Sequence, residues 1–135
     1  MSRPAARPPI HLLESEADTL SDLALSIEHR QPDVSALLLS ELTRAKIHRQ
    51  GKLPPGTVTM LSTVEFVDEG SDTRRTLKLV FPPDADIEAG RISILTLVGA
   101  GLIGLAEGQS ILWPDRENHE RRLRIVKVTR EGVEA

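Results

Sequence analysis

GTVTMLSTVEF, residues 56–66, marks the point where the apolar residues of the chain change their period. Before this stretch they recur every three or four positions, as on one face of an α-helix. Within it Val58, Met60, Val64 and Phe66 alternate with polar residues, which predicts a β-strand with one buried face. The sequence therefore predicts an α+β fold in which helices precede the strands.

Two helical stripes come before this change of period. The first covers Leu20–Ile27 and follows Ser15, whose hydroxyl we expect to cap the helix. The second covers Val34–Ala45, and between them Pro32 disfavours helix while Asp33 can cap the second helix. Two helices of similar length with a short link predict an antiparallel hairpin.

The second half of the chain predicts a set of short strands. Residues 76–81 alternate in polarity and form a β-hairpin with the first strand, ending at two prolines. In the last strand the apolar residues Leu123 and Ile125 stand at odd-numbered positions, whereas Val126 and Val128 stand at even-numbered ones. This change of alternation predicts a β-bulge near Val126. We expect further strands near residues 92–95, 110–113 and 123–128, and one short helix within residues 98–105.

These patterns divide the chain into three parts. Residues 1–9 contain three prolines and predict a mobile tail. Residues 10–52 form the helical hairpin, a short coiled coil. Residues 53–135 form an antiparallel β domain with one short helix, and residues 51–56 are the expected hinge.

Composition excludes several classes of function. The chain has 135 residues, a formal net charge of -3 and no cysteine, so it has no thiol nucleophile and no zinc–thiolate site. The acidic balance argues against direct binding of nucleic acid. The first residues lack an apolar signal segment, and no stretch is long enough to cross a membrane. We expect a soluble cytoplasmic protein with no membrane contact.

One glycine motif invites a cofactor assignment. Gly99–Gly104 matches the G-x-G-x-x-G pattern of dinucleotide-binding proteins. That pattern binds a cofactor only when it opens a crossover helix, and too few residues separate it from the next strand at Ser110. A tight turn with one short helix explains the glycines, and we expect no cofactor.

Catalytic and metal-binding residues are also not indicated. The four histidines, at positions 11, 29, 48 and 119, lie far apart in the sequence and form no pair at the spacing typical of metal ligands. No serine has the context of a nucleophile. We therefore expect neither a catalytic residue nor a metal site.

The segment Thr96–Gly104 reads Thr-Leu-Val-Gly-Ala-Gly-Leu-Ile-Gly and resembles the signature of bacterial Gre transcript-cleavage factors. That signature runs Ser-Pro-apolar-Ala-Arg-Gly-Leu-Ile-Gly. The stretch Leu77–Pro82, with Gly108 and Trp113, is closer to the Rnk branch of the same family. The resemblance to the Gre/Rnk family covers about residues 10–130.

This resemblance implies an FKBP-like β domain that docks on the rim of the secondary channel of RNA polymerase. The docking loop would consist of Thr96, Leu97, Val98 and Gly99. In Gre factors, acidic residues at the tip of a long coiled coil hold a magnesium ion beside the polymerase active centre. Here the hairpin is short, and its tip, with Arg30, Gln31 and Asp33, lacks the Asp-x-x-Glu pattern of Gre factors.

We therefore expect a regulator of transcription elongation that binds RNA polymerase and does not promote transcript cleavage. We expect a monomer that contacts DNA or RNA only through the polymerase complex, although the leucines of the second helix leave self-association open. An alternative implied by the Rnk branch is a direct regulator of nucleoside diphosphate kinase. A prolyl isomerase, suggested by the fold alone, would need an aromatic pocket, and the chain has only three aromatic residues.

Overall fold

A computed structural model describes residues 8–115, 117 and 119–130. Most of the expected mobile tail lies outside these residues. The predicted fold class is confirmed: helices come first and a sheet follows. The elements are β1 (His11–Leu13), α1 (Glu14–Ser26), α2 (Pro32–Arg44), β2 (Lys46–His48), β3 (Ser62–Asp68), β4 (Thr73–Val80), β5 (Arg91–Ser93), α3 (Leu97–Leu102), β6 (Ser110–Pro114) and β7 (Glu120–Arg130).

The helical hairpin is confirmed, but its predicted caps are wrong. The residue before α1 is Leu13 and the residue before α2 is Gln31, and neither side chain caps its helix. Ser15 lies inside α1, and Asp33 lies in the first turn of α2. Pro32 can open α2 because an N–H at this position would have no partner within the helix, and proline has none. The carboxylate of Asp33 in the same turn interacts favourably with the positive end of the helix dipole. Each helix has 13 residues and is about 20 Å long.

Two short strands that the sequence did not predict close the base of the hairpin. β1 and β2 pair in parallel, and we call this pair the base ribbon. The amide of Lys46 donates to the carbonyl of Ile10 at 2.9 Å, and the amide of His11 donates to the carbonyl of Gly104 at 3.1 Å. The base ribbon therefore fixes both ends of the hairpin beside the segment that follows α3.

The five remaining strands form one sheet in the order β5-β4-β3-β7-β6. All neighbours are antiparallel except β4 and β5, which pair in parallel. The predicted bulge is confirmed, because Glu65 pairs with Lys127 and Phe66 pairs with Ile125, so that Val126 has no partner in the register.

The first strand of the sheet starts later than predicted. Alternation begins at Thr57, but β3 begins only at Ser62. Leu61 has a φ of 70°, in the left-handed region, and this turn interrupts the extended backbone. Thr57 makes only an isolated bridge to Ala106. The apolar alternation therefore marks burial here rather than one continuous strand.

A single hydrophobic core runs through both halves of the chain. Leu20 of α1 and Leu38 of α2 belong to the same buried cluster as Phe66, Trp113 and Ile125. α2 packs on α3, which joins the hairpin to the sheet. The division into two domains at residues 51–56 stays a prediction.

Candidate interaction cleft at the hairpin tip

A cleft of about 680 Å³ lies between the end of the hairpin and the core-facing side of the sheet. We call it the tip cleft. Val34 of α2 faces the start of α3 across it, and β5, β6 and β7 supply further walls. Its apolar lining includes Val34, Ile92, Leu97, Val98, Trp113 and Leu123. This volume lies in the usual range of ligand-binding clefts.

The start of α3 is held in place by a side-chain cap. The hydroxyl of Thr96 accepts a hydrogen bond from the amide of Gly99 at 3.0 Å and donates to the carbonyl of Ser93 at 2.8 Å. Glycine is required at position 99 because a Cβ there would collide with the Ser93 carbonyl. The indole of Trp113 donates to the carbonyl of Leu97 at 2.6 Å, so α3 is fixed against β6.

The residues expected to form a docking loop therefore lie at the start of a helix. Thr96, Leu97 and Val98 are half-buried and line the tip cleft. Gly99 is buried and is not part of the lining, so it shapes the wall without offering a contact. Their contact with a polymerase stays a prediction.

The tip of the hairpin reaches the same cleft through one of its three predicted residues. Gln31 is exposed and lines the tip cleft beside Val34. Arg30 and Asp33 are exposed but lie outside the lining. The structure therefore brings Gln31 together with Thr96–Val98, although the sequence placed them in separate domains.

The rim of the cleft carries charges of both signs. The Arg121 guanidinium lies 3.1 Å from a carboxylate oxygen of Asp115 and 3.8 Å from one of Asp68. On the other side Arg91 lies 3.7 Å from Asp86. The pKa of Asp115 is lowered, chiefly by the hydrogen bond from the amide of His119 and further by Arg121.

Arg75 is the sixth charged residue of this rim, and it is exposed. Among the residues that the structure describes, it has no ion-pair partner. With three cations and three carboxylates, the rim is electrostatically mixed. Such a rim around an apolar floor suits a protein partner, whose surface also mixes charges, better than it suits a polyanion.

The comparisons with known proteins agree on one family. The family model of the transcription elongation factor GreA/GreB C-terminal domain matches residues 53–130. The chain belongs to the GreA/GreB family. The family model thus covers all of the sheet and α3, and most of the lining of the tip cleft.

Individual relatives extend the GreA/GreB likeness into the hairpin. Transcription elongation factor GreA of Methylobacterium nodulans is 32% identical over 113 residues, which cover 78% of this chain and 72% of that protein. The regulator of nucleoside diphosphate kinase of Escherichia coli K12 is 30% identical over 108 residues, covering 80% and 79%. The structure of GreA/GreB from Nitrosomonas europaea is 38% identical, covers 91% of this chain and 99% of that one, and superposes with a TM-score of 0.69.

Sequence reasoning missed several residues of the cleft in this GreA/GreB-family protein. Ile87 stands on the rim with 56% of its surface exposed, and Arg75 faces the cleft from β4. Ile87 belongs to the connection between β4 and β5, where no periodicity points to a site. The one feature of the sequence that could have indicated Ile87 is a large apolar residue between two acidic ones, outside any strand pattern.

One group among the described residues has the composition of a metal site. Asp115, Glu117 and His119 place one ligand atom each within 4.8 Å of one another. One Asp115 oxygen already accepts the amides of Glu117 and His119, each at 2.9 Å, and the other accepts from Arg121. These hydrogen bonds explain why the three side chains lie together, since they stabilise a turn. The expectation that no metal binds stays a prediction.

The described residues show no catalytic arrangement. They also contain no helix long and apolar enough to cross a bilayer.

Proposed function

We propose that this GreA/GreB-family protein binds bacterial RNA polymerase at the rim of its secondary channel and regulates elongation without promoting transcript cleavage. Family membership supports the partner, because the relatives are named as transcription elongation factors. In this proposal the protein is a monomer of the cytoplasm and is not itself an enzyme.

The observation that carries the proposal is that hairpin tip and α3 share one cleft. Gln31 comes from the tip and Thr96, Leu97 and Val98 come from the start of α3, so one polymerase segment entering the tip cleft touches both. Ile87, with 56% of its surface exposed, adds an apolar contact at the rim. The cleft is thus the proposed docking surface.

The hairpin supports regulation without cleavage. Helices of 13 residues extend about 20 Å, and both pack into the core through residues such as Ile27 and Val34. The exposed acidic residues nearest the tip are Glu28 and Asp33, five positions apart, which is not the Asp-x-x-Glu spacing of Gre factors. On a short hairpin and without that spacing, we do not expect these carboxylates to hold a magnesium ion in the polymerase active centre.

The first experiment is fluorescence anisotropy of the labelled protein with core RNA polymerase, repeated with a Gre factor as competitor. Saturable binding that the Gre factor displaces is expected. Ile87→Glu should weaken binding at least tenfold, because it places a carboxylate in the apolar contact. Ile47→Glu is the matched control, since Ile47 is 46% exposed on β2, outside the lining of the tip cleft.

Two outcomes would contradict the proposal. One is the absence of binding at micromolar polymerase. The other is an equal loss of binding in Ile87→Glu and Ile47→Glu, which would move docking away from the tip cleft. In a stalled elongation complex, the protein should release no cleaved RNA and should reduce cleavage stimulated by a Gre factor.

A second candidate is direct binding to nucleoside diphosphate kinase. It is favoured by the name of the Escherichia coli relative, a regulator of that kinase. Gel filtration of the two purified proteins without polymerase tests it directly. Co-elution that Ile87→Glu abolishes would assign the tip cleft to the kinase, and separate elution would leave polymerase as the partner.

A further inference from the structure

The face of the sheet opposite the core collects positively charged side chains from several strands. The register aligns Arg74 and Arg124 on either side of Val67, and Thr76 and Lys127 on either side of Glu65. Because partners in a ladder point to the same side, these residues share one surface, which we call the outer sheet face. Its cations are Arg74, Lys78, Arg122, Arg124 and Lys127.

Among the described residues, this face carries three carboxylates against its five cations. They are Glu65 and Glu120 on the strands and Glu69 in the turn after β3. Glu69 forms two ion pairs, with its carboxylate oxygens 2.9 Å from Nε of Arg124 and 3.8 Å from Nε of Arg122. Glu65 forms an ion pair with Arg74. Even in these pairs the three arginines keep 45–60% of their side-chain surface exposed, so their guanidinium groups have room for another anion.

The opposite charge lies on the hairpin. α1 carries Glu14, Glu16, Asp18 and Asp22 and has no basic residue. The chain as a whole has a formal net charge of -3, so the positive outer sheet face runs against the overall balance. This separation of charge attracts a polyanion to the outer sheet face and repels it from α1.

We propose that the outer sheet face binds the sugar-phosphate backbone of single-stranded nucleic acid. Cations two residues apart on one strand, such as Arg122 and Arg124, stand about 7 Å apart, and neighbouring strands lie about 5 Å apart. This grid presents several cations to successive phosphates of an extended strand. The hydroxyls of Ser110, Thr76 and Thr129 stand among them, and hydroxyls are common donors to phosphates.

The same face argues against other nucleic-acid modes. None of the three aromatic residues of the chain lies on it, because Phe66 and Trp113 are buried in the core and Phe81 shares their side of the sheet. Without a stacking platform, binding rests on phosphates and is independent of base sequence. A major groove admits a helix or a two-stranded ribbon, and a five-stranded sheet is too broad for it.

This interaction would be direct, whereas the sequence led us to expect nucleic-acid contact only through the polymerase complex. The strand order explains the difference. Cations separated by up to about fifty residues in the chain meet only after β4, β3 and β7 have paired. The surface is also independent of the proposed docking, because the tip cleft lies on the core-facing side.

The test is anisotropy of a labelled 20-nucleotide single-stranded RNA of mixed sequence with the full chain at several salt concentrations. Binding should weaken with a log–log salt slope of about -2, as expected for about three neutralised phosphates. The double variant Arg122→Thr, Lys127→Thr should bind at least fivefold more weakly, with a slope shallower by about 1.4. Threonine keeps the strand propensity of both positions.

Arg49→Thr with Lys52→Thr is the matched control. It removes the same charge from exposed residues after β2, outside the sheet, and should keep the affinity and the salt slope. Thermal melts of both double variants should agree with the parent, which separates a lost surface from a lost fold.

Three results would overturn the proposal. The first is the absence of salt-dependent RNA binding at submillimolar protein. The second is an equal loss in the control variant, which would reduce the effect to net charge. The third is tighter binding of polyglutamate or of a 20-base-pair duplex than of the single strand, which would make an acidic protein or duplex DNA the partner.

Discussion

Two glycines allow α3 to lie against its neighbours. A Cβ at Gly99 would collide with the backbone carbonyl of Ser93, which cannot move without displacing the end of β5. A Cβ at Gly101 would lie 2.9 Å from the indole of Trp113. The wall of the tip cleft therefore depends on close packing that only glycine permits.

Gly99→Ala should lower the free energy of unfolding by about 2 kcal/mol, the usual scale for overpacking a rigid site. Gly70→Ala is the comparison, since its Cβ would meet mainly the flexible end of Arg121, and the expected change is within about 0.5 kcal/mol. Urea unfolding followed by Trp113 fluorescence measures both. Equal effects would show that the contact with Ser93 is not what limits the packing of α3.

The base ribbon brings together two histidines that lie 37 positions apart. Nδ1 of His11 is 2.9 Å from Nε2 of His48, so one ring donates and the other accepts, and at least one of them is neutral. Burial lowers the pKa of His11 below 6.5, and His48 and Lys46 lower it further. The sequence suggested only scattered histidines, because a parallel pairing of two short strands leaves no periodic signal.

Stability should therefore fall in mild acid. Because the pKa of His11 is lowered on folding, the folded state binds fewer protons than the unfolded state below pH 6.5, and the free energy of unfolding decreases as the pH falls through that range. Urea titrations between pH 7.5 and 5 measure the slope. His11→Asn should flatten it, while His29→Asn, at an exposed position outside the ribbon, should leave it as in the parent.

At the scale of elements, the two long helices pair through one buried hydroxyl as well as through apolar residues. Ser35 is 2% exposed, and its hydroxyl donates to the carbonyl of Ala24 at 2.8 Å, so α2 bonds directly to α1. The apolar stripes predicted this pairing, since their period depends only on neighbouring turns. Helix caps and the start of β3 were not predictable in the same way, because Pro32 and the left-handed Leu61 decide them through local backbone geometry.

Ser35→Ala should lower the free energy of unfolding by about 1 kcal/mol, because the hydroxyl's buried hydrogen bond is lost. Ser40→Ala in the same helix removes an exposed hydroxyl and should be neutral or stabilising by a few tenths of a kcal/mol through helix propensity. Thermal or urea unfolding by circular dichroism compares the pair. A loss no larger than that of Ser40→Ala would mean that apolar contacts alone hold the helices together.

At the scale of the whole molecule, hairpin and sheet share one core, and Glu16 adds a polar link between them. The Glu16 carboxylate accepts a hydrogen bond from the amide of Met60, with both oxygens at 3.3 Å. Burial raises the pKa of this carboxyl, which the bond to Met60 only partly offsets. The order of elements was predictable from the sequence, whereas the position of the hairpin on the sheet depends on contacts between distant segments such as these.

A shared core predicts a single cooperative unfolding transition. Trp113 is the only tryptophan and reports on the sheet, while circular dichroism at 222 nm reports mainly on α1 and α2. The two signals should coincide in urea, and Leu38→Ala in α2 should shift both by the same amount, corresponding to about 3 kcal/mol. Two separate midpoints would instead favour a hairpin that unfolds independently across residues 51–56.

Because of the base ribbon, the length of the helical hairpin can change without moving its two ends. Since β1 and β2 hold the two ends of the hairpin side by side, the distance between those ends is the same whatever lies between them. Whole helical turns inserted on both sides of residues 27–31 would lengthen the hairpin outward and leave the base ribbon in place, but they would carry Ile27 out of the core and Gln31 away from the tip cleft. A longer reach would therefore be gained at the expense of the tip contacts and not of the base.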